Sequence, residues 1–409
     1  MTRTQALLAL FFGLLMIYSV AAAAVNHHRP SVEGENLYVK QAAAFLRGEV
    51  AIDSGGHDAA HFDGQLYVAF PPAPALLLTP LVALLGREGV NTVAVAGLLG
   101  LVGLWAVWRI LGQLAVPNRL QFWLILGFFL GSPLWLALLW SWGVWYFAHV
   151  VAVIFLLLAV QEALGRGRGW LVGSLLAVAV LSRQMTLFAG IFLLAALWQQ
   201  PAWAERRWWK AMGFVLPLAL AGIGYLLFNA VRFGDPLQTG YGFLHLDGFL
   251  LARVWNFGLF SPAYLFTNAY RLFVQGFHLT FTDARLMSGL TLNPHGTSLL
   301  AASPFVLAAF FAPRSRLTGA AWIAIAGMIG VTLFYYNDGW VQHNAQRFTL
   351  DFWPLLLVVI ALGLKEQARQ GQVRLWQGFI IYAVSLNLFA LLLIDPLNRL
   401  LPLWYGLFR

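Results

Sequence analysis

The sequence predicts an all-α polytopic membrane protein, on three observations. Of its 409 residues, 60% are hydrophobic and only 10% are charged, with a mean hydropathy of +0.74; a soluble domain carries about 25% charged residues. Apolar runs approaching the roughly 20 residues needed to cross a hydrocarbon core recur along the chain. Short arginine-rich connections alternate with polar, acid-bearing ones, which is the positive-inside pattern. The net charge of +9 gathers in those connections, so it reads as membrane topology and not as a nucleic-acid-binding face. With no cysteine in the chain, there is neither a disulfide framework nor a thiolate metal site.

The first span covers residues 5–25, with Arg3 holding the N-terminus inside; it resembles a signal peptide, but the membrane segments that follow favour an uncleaved span. A polar loop, 26–90, comes next on the outer side. With Glu88 near its end, it holds seven of the chain's 16 acids, the others being Glu33, Glu35, Glu49, Asp53, Asp58 and Asp63. Within it, 36–47 reads as an amphipathic helix lying in the interface plane. Residues 71–86 are apolar but short and carry four prolines, each costing a backbone hydrogen bond inside a helix.

Four basic clusters (Arg166/Arg168, Arg206/Arg207/Lys210, Arg314/Arg316 and Lys365/Arg369/Arg374) are expected in the cytoplasm. Working back from them, 90–111 runs inward and 120–131 returns outward, which closes only if 71–86 stays on the outer side. A Trp-rich patch (Trp135, Trp140, Trp142, Trp145) then suits an outer interface belt. Residues 149–162 run inward. Two short helices, 169–181 and 185–198, meet at Ser182-Arg183-Gln184. After the span 211–231 and a second external loop, 232–296, four more spans follow at 297–312, 318–335, 348–364 and 375–394. The total is about eleven, with the C-terminus outside.

A carboxylate at a water–lipid boundary is well placed to take a proton from a hydroxyl while a second substrate stays in lipid. The first loop supplies such groups in Glu33, Glu35 and Asp58; solvated loop charges are the plainer reading of any one of them. His57 and His61, four residues apart, would face one way on a helix and are candidate ligands for a divalent metal, although no third ligand stands near and no cofactor is required. Arg183, alone between two apolar half-helices, is costly unless paired or functional, and could hold a lipid phosphate through charge-assisted hydrogen bonds; snorkelling to the interface is the alternative. Arg271 and Arg347 are the other external arginines proposed for phosphate. The aromatic, amide-rich run that includes Asp338, Gln342 and His343 resembles a sugar-binding rim, and Tyr38, Lys40, His149 and Tyr241 complete the candidate substrate contacts. No Gly-rich phosphate loop, Ser-His-Asp order or HExxH motif appears.

Several strings spread along the chain (NLYVKQAAAFLRGEVAI, HDAAHFDGQLYVAFPPAPALLLTP, NAVRFGDPLQTGYGF, GLFSPAYLFTNAYRLF, HGTSLLAASPFVL and QRFTLDFWPLL) resemble the GT-C superfamily of membrane glycosyltransferases. The likeness is to a bacterial branch similar to family 39 mannosyltransferases and RgtA/B/C/D-like proteins. It implies one GT-C-type integral-membrane domain over 1–409, with a catalytic-module-like part at 1–231 and a variable part at 232–409. It further implies an inner-membrane enzyme whose site faces the exterior. There it would transfer a sugar, with inversion, from a polyprenyl-phosphate donor to a lipid, glycan or protein acceptor. The superfamily often places an Asp-Glu pair in the first external loop, a few residues before a tyrosine. Here Tyr38 stands for the tyrosine and Glu35 for the second acid, but Gly34 takes the aspartate's place, so Glu35, Asp58 and Glu33 all remain candidates for the base. A rival from another class is a carrier or flippase for a polyprenyl-linked or anionic lipid, which would use the same arginines and need no base.

Overall fold

A computed structural model describes residues 13–15, 17–18, 22, 36–56, 58–200, 203, 205, 207–246, 248–283, 289–339, 342–390 and 394–407. The expected first span, Glu33 and Glu35 therefore lie mostly or wholly outside the described residues, and His57 lies outside them too.

The elements in chain order are α1 (Leu37–Leu46), the hairpin β1 (Ala59–Phe62) and β2 (Gln65–Val68), α2 (Ala73–Leu85), α3 (Thr92–Gln113), α4 (Asn118–Leu130), α5 (Leu134–Leu139), α6 (Val144–Leu164), α7 (Gly169–Val180), a 3-10 turn (Gln184–Phe188), α8 (Ala189–Trp198) and α9 (Arg207–Phe233). The second part contributes α10 (Gly248–Phe257), α11 (Leu265–Ala269) running into a π-helical turn (Tyr270–Val274), β3 (Leu279–Phe281), β4 (Leu290–Leu292), β5 (His295–Thr297) and α12 (Leu299–Ala302). It closes with a 3-10 stretch (Pro304–Phe311), α13 (Arg316–Leu333), β6 (Gln342–Ala345), a 3-10 turn (Arg347–Asp351), α14 (Trp353–Arg369), α15 (Val373–Leu388) and α16 (Ile394–Gly406). The protein is a multi-pass membrane protein. Among the described residues, α3, α6, α9 and α13 are long and apolar enough to cross a membrane by length and composition.

The helices share one polarity of ends. At one end, Gln113 Nε2 donates to the Gln161 carbonyl at 3.0 Å and Lys365 Nζ to the Leu114 carbonyl at 3.0 Å. There too, Trp203 Nε1 donates to the Gly167 carbonyl at 2.8 Å and Gln200 Nε2 to the Ala163 carbonyl at 2.8 Å. These bonds tie the connections after α3, α6, α8 and α14 together, so the basic residues of those connections collect at that end, called here the basic end. The opposite, open end carries the polar loops. Glycine allows the closest approaches between helices: a Cβ at Gly173 would strike the Phe214 carbonyl, and one at Gly363 the Ala308 carbonyl.

The hairpin of α7 and the following turn matches the sequence reading, with Arg183 in extended backbone between the two arms. At 12 residues, α7 rises only about 18 Å from the basic end, so its tip stops short of the roughly 30 Å hydrocarbon thickness. Helix α2 is held at both ends. Its first N–H, from Ala73, bonds the Leu181 carbonyl at the hairpin tip at 2.9 Å, and just past its end Arg87 pairs with Asp53 of the first loop. Both ends of α2 thus sit at the open end.

Other expectations need correction. Helix α1 is capped by Asn36, whose side chain accepts from the Tyr38 N–H at 2.9 Å, but most of it is buried against α2 instead of lying on the membrane surface. The same Asn36 donates to the carbonyls of Ser141 and Trp142, at 3.0 and 3.1 Å. That clamp explains why an apparently amphipathic segment goes inside: its polar cap is satisfied by the helix-breaking turn before α6. Of the Trp-rich patch expected as an interface belt, Trp135 and Trp140 are buried in the core, while Trp142 and Trp145 are half-buried. The expected span 297–312 is split at Ser303-Pro304 into α12 and a 3-10 stretch, because proline lacks the N–H that would continue the helix. Residues 59–62 form a strand, not a helix.

Candidate active site

Two adjoining chambers, of about 170 and 300 Å³, open at the open end of the bundle and share the walls Phe70, Trp145, Arg183, Tyr241, Tyr335 and Phe348. Each wall comes from an end of an element: the start of α2, the start of α6, the tip of the α7 hairpin, the loop after α9, the end of α13 and the turn before α14. The short hairpin sinks the chamber floor below the level the longer helices reach.

Arg183 is the polar centre of that floor. Its Nε and Nη2 donate to the two carboxylate oxygens of Asp351 at 3.0 and 2.8 Å, while His149 Nδ1 lies 3.3 Å from the same carboxylate. Asp351 is 2% exposed. A guanidinium has five N–H donors in a fixed fork, so the bidentate pair orients the group and leaves donors for the chamber that Arg183 lines. Arg347 is also buried, 5.3 Å over the Trp145 ring, 5.4 Å over Tyr146 and 5.3 Å over Phe348. Arg183 sits 5.4 Å over Phe348. Two guanidiniums therefore share one aromatic partition, held by cation–π attraction.

Asp58 lines the larger chamber together with both arginines, and its charge acts on Arg347 and Tyr336. Among the described residues it is the carboxylate that lines these chambers. The tyrosines around it are protonated donors at neutral pH: burial pushes the Tyr336 phenol up to about 12 and Tyr241 well above its usual range. They cannot act as bases under those conditions, whereas an aspartate can.

The remaining sequence candidates separate. Tyr241 lines both chambers, edge-on to Phe70 at 5.7 Å. Tyr38 is fully buried behind them, and burial raises its phenol well above the usual value. Lys40 does not reach the chambers; its ammonium is exposed and pins the first loop through the Ser54 carbonyl and hydroxyl, at 3.2 and 3.0 Å. His149 is fully buried beneath Asp351, a support for the floor rather than a wall. His61 is exposed on β1 with its ring 6.1 Å from that of His245. His61 thus stands in a strand, and His57 lies outside the described residues. Among the described residues, no three His, Cys, Asp or Glu side chains gather as a metal site. Gln342 and His343 lie on β6, which pairs in parallel with β5.

Arg271 and Asp338 belong to a second cluster. Asp338 Oδ2 receives Arg253 Nη2 and His295 Nε2, each at 3.2 Å, with Arg271 Nε at 3.9 Å. Burial alone would raise the Asp338 carboxyl, but the hydrogen bond from His295 and the charges of His295 and Arg253 hold it below the ordinary carboxylate range.

Sequence reasoning did not single out Asp351 or Trp145 as site residues, whereas Tyr335 and Tyr336 belong to the run read as a sugar-binding rim. A signal for Asp351 was present: a lone acid at the mouth of an apolar run, as expensive as Arg183 and its natural counter-charge.

The sequence matches no protein-family model and no curated protein. Its structure is similar to the crystal structure of ArnT from Cupriavidus metallidurans bound to undecaprenyl phosphate, with a TM-score of 0.50 and 14% identity over 96% of this chain and 72% of that one. The chain has a GT-C-type fold. The likeness reaches that level and not the family 39 branch.

Proposed function

We propose that the protein is an inverting glycosyltransferase that moves a sugar from a polyprenyl-phosphate donor to an acceptor hydroxyl. The single observation that carries this reading is the convergence of Asp58, Arg183 and Arg347 on one aromatic-walled chamber at the open end. The undecaprenyl phosphate bound to the structurally similar ArnT supports a polyprenyl phosphate as the donor's leaving group. Asp58 takes the proton of the acceptor hydroxyl as its oxygen bonds to the anomeric carbon. The bond from that carbon to the phosphate oxygen breaks in the same step, and the polyprenyl phosphate departs with the electron pair. Arg183 and Arg347 stabilise the charge developing on it, in a site where preorganised donors act more strongly than in water. Asp351, with His149 against it, keeps the Arg183 fork aimed while two of its five donors are engaged.

The chamber faces away from the cytoplasm on this reading, because the basic connections collect at the opposite end and basic connections stay inside. Purified protein in lipid, offered a panel of polyprenyl-phosphate sugars and acceptors, tests the proposal by mass spectrometry of released polyprenyl phosphate. Release by wild type that Asp58→Asn and Arg183→Gln abolish is the expected result. Donor binding followed by transbilayer movement, without release and untouched by Asp58→Asn, would replace the enzyme with a carrier.

A further inference from the structure

Beside the larger chamber, across the shared wall of Phe249, opens a third cavity of about 430 Å³ lined by α10, Arg271 and His295. Its polar lining is cationic. Arg253, Arg271 and His295 converge on a single oxygen of Asp338, whose side chain is fully buried. Two guanidiniums thus face one carboxylate, an excess of positive charge before His295 is counted. Arg253 spends one further donor on the Tyr336 carbonyl at 3.0 Å, and Arg271 spends one on Gln275. Each guanidinium has five donors, so both keep N–H groups for the cavity they line. Phe249 lies 4.9 Å under Arg253 and fixes the plane of its fork. Phe249 and Phe257 line the cavity's apolar side, and α10 also exposes Trp255 at 85% beside Phe257 at 55%, the pattern of a helix seated in a bilayer interface.

From this geometry we infer that the cavity beside α10 is an anion-binding subsite for a phosphate-bearing amphiphile, the phosphate on the arginine forks and the chain along α10. Arginine forks match phosphate through paired, charge-assisted hydrogen bonds, and the apolar rim selects a lipid-borne anion over a free one. The amphiphile's role as acceptor rests on the transferase reading: the shared wall sets its headgroup next to Asp58. Its binding does not.

Native mass spectrometry of the full chain, released from zwitterionic detergent with dodecyl phosphate or inorganic phosphate, counts the sites. Wild type should retain two dodecyl phosphates, one at Arg183 and Arg347 and one at α10. Arg253→Gln/Arg271→Gln should lose one copy, and Arg183→Gln/Arg347→Gln the other. Removing both arginines of this cavity leaves Asp338 buried without them, so Arg253→Gln/Arg271→Gln/Asp338→Asn repeats the test with that carboxylate neutralised. On wild type, a photoreactive dodecyl phosphate should label α10, which needs no variant. Two copies retained by the α10 variants, or labelling that spares α10, overturns the subsite; inorganic phosphate bound there as tightly overturns its lipid character. Loss of sugar transfer in every assay, with these counts intact, would defeat the transferase reading and leave the subsite standing.

Discussion

At the scale of single residues, the site depends on charges held in apolar surroundings. Asp58→Asn keeps shape and removes the base, so turnover should fall by about a hundredfold or more, while donor affinity in a binding assay stays close to wild type. Asp351→Ala leaves Arg183 buried without its counter-charge, a loss of about 3–5 kcal/mol that should appear as a lowered melting temperature in detergent. Replacing both partners by apolar residues, Arg183→Met/Asp351→Leu, should recover much of that stability but no activity. If the single Asp351 variant melts like wild type, the floor is not built on that pair. Asp338 gives a pH prediction. Its folded-state pKa is depressed, so its contribution to stability is complete above the unfolded value of about 3.9 and fades as the pH falls through the lower folded value. Melting temperature followed from pH 6 down into that range should drop less steeply in Asp338→Asn.

At the scale of elements, the short α7 hairpin creates the depth of the chamber, and close backbone approach holds α7 and α14 in place. A Cβ at Gly363 meets the Ala308 backbone, which cannot swing aside as a side chain would. Gly363→Ala should therefore cost about 1–3 kcal/mol by overpacking. Gly330→Ala, in an open position on α13, should be neutral or slightly stabilising, because alanine loses less freedom in a helix. Thermal unfolding of the two variants side by side checks this; equal effects would mean that the contact at Gly363 is not tight.

At the scale of the whole molecule, orientation is testable on the natural background, because the chain has no cysteine. Single cysteines at Ser54, Glu88 and Gln370, all exposed, can be probed with an impermeant maleimide on intact cells. Ser54→Cys and Glu88→Cys should label together and Gln370→Cys only after lysis. Opposite labelling of the first two would mean that α2 crosses the membrane after all.

Composition and charge sufficed, from sequence alone, for the membrane class, the end of the bundle that gathers the basic connections, the broken hairpin at Arg183 and the acidic first loop. Those properties follow from local chemistry: apolar length and cations that resist translocation. Only the tertiary structure decided which charges meet. Arg183 and Asp351 are 168 residues apart, and no periodicity links them. Lys40 looked like a substrate contact and instead braces Ser54; Arg271 looked like a partner of Arg183 and instead joins Asp338; and Trp135 looked like a belt residue and is core. Long-range contacts fix where each side chain points: a counter-charge for Arg183 and Arg271, a hydrogen bond for Lys40 and apolar packing for Trp135, and none of these is written in a local stretch of chain.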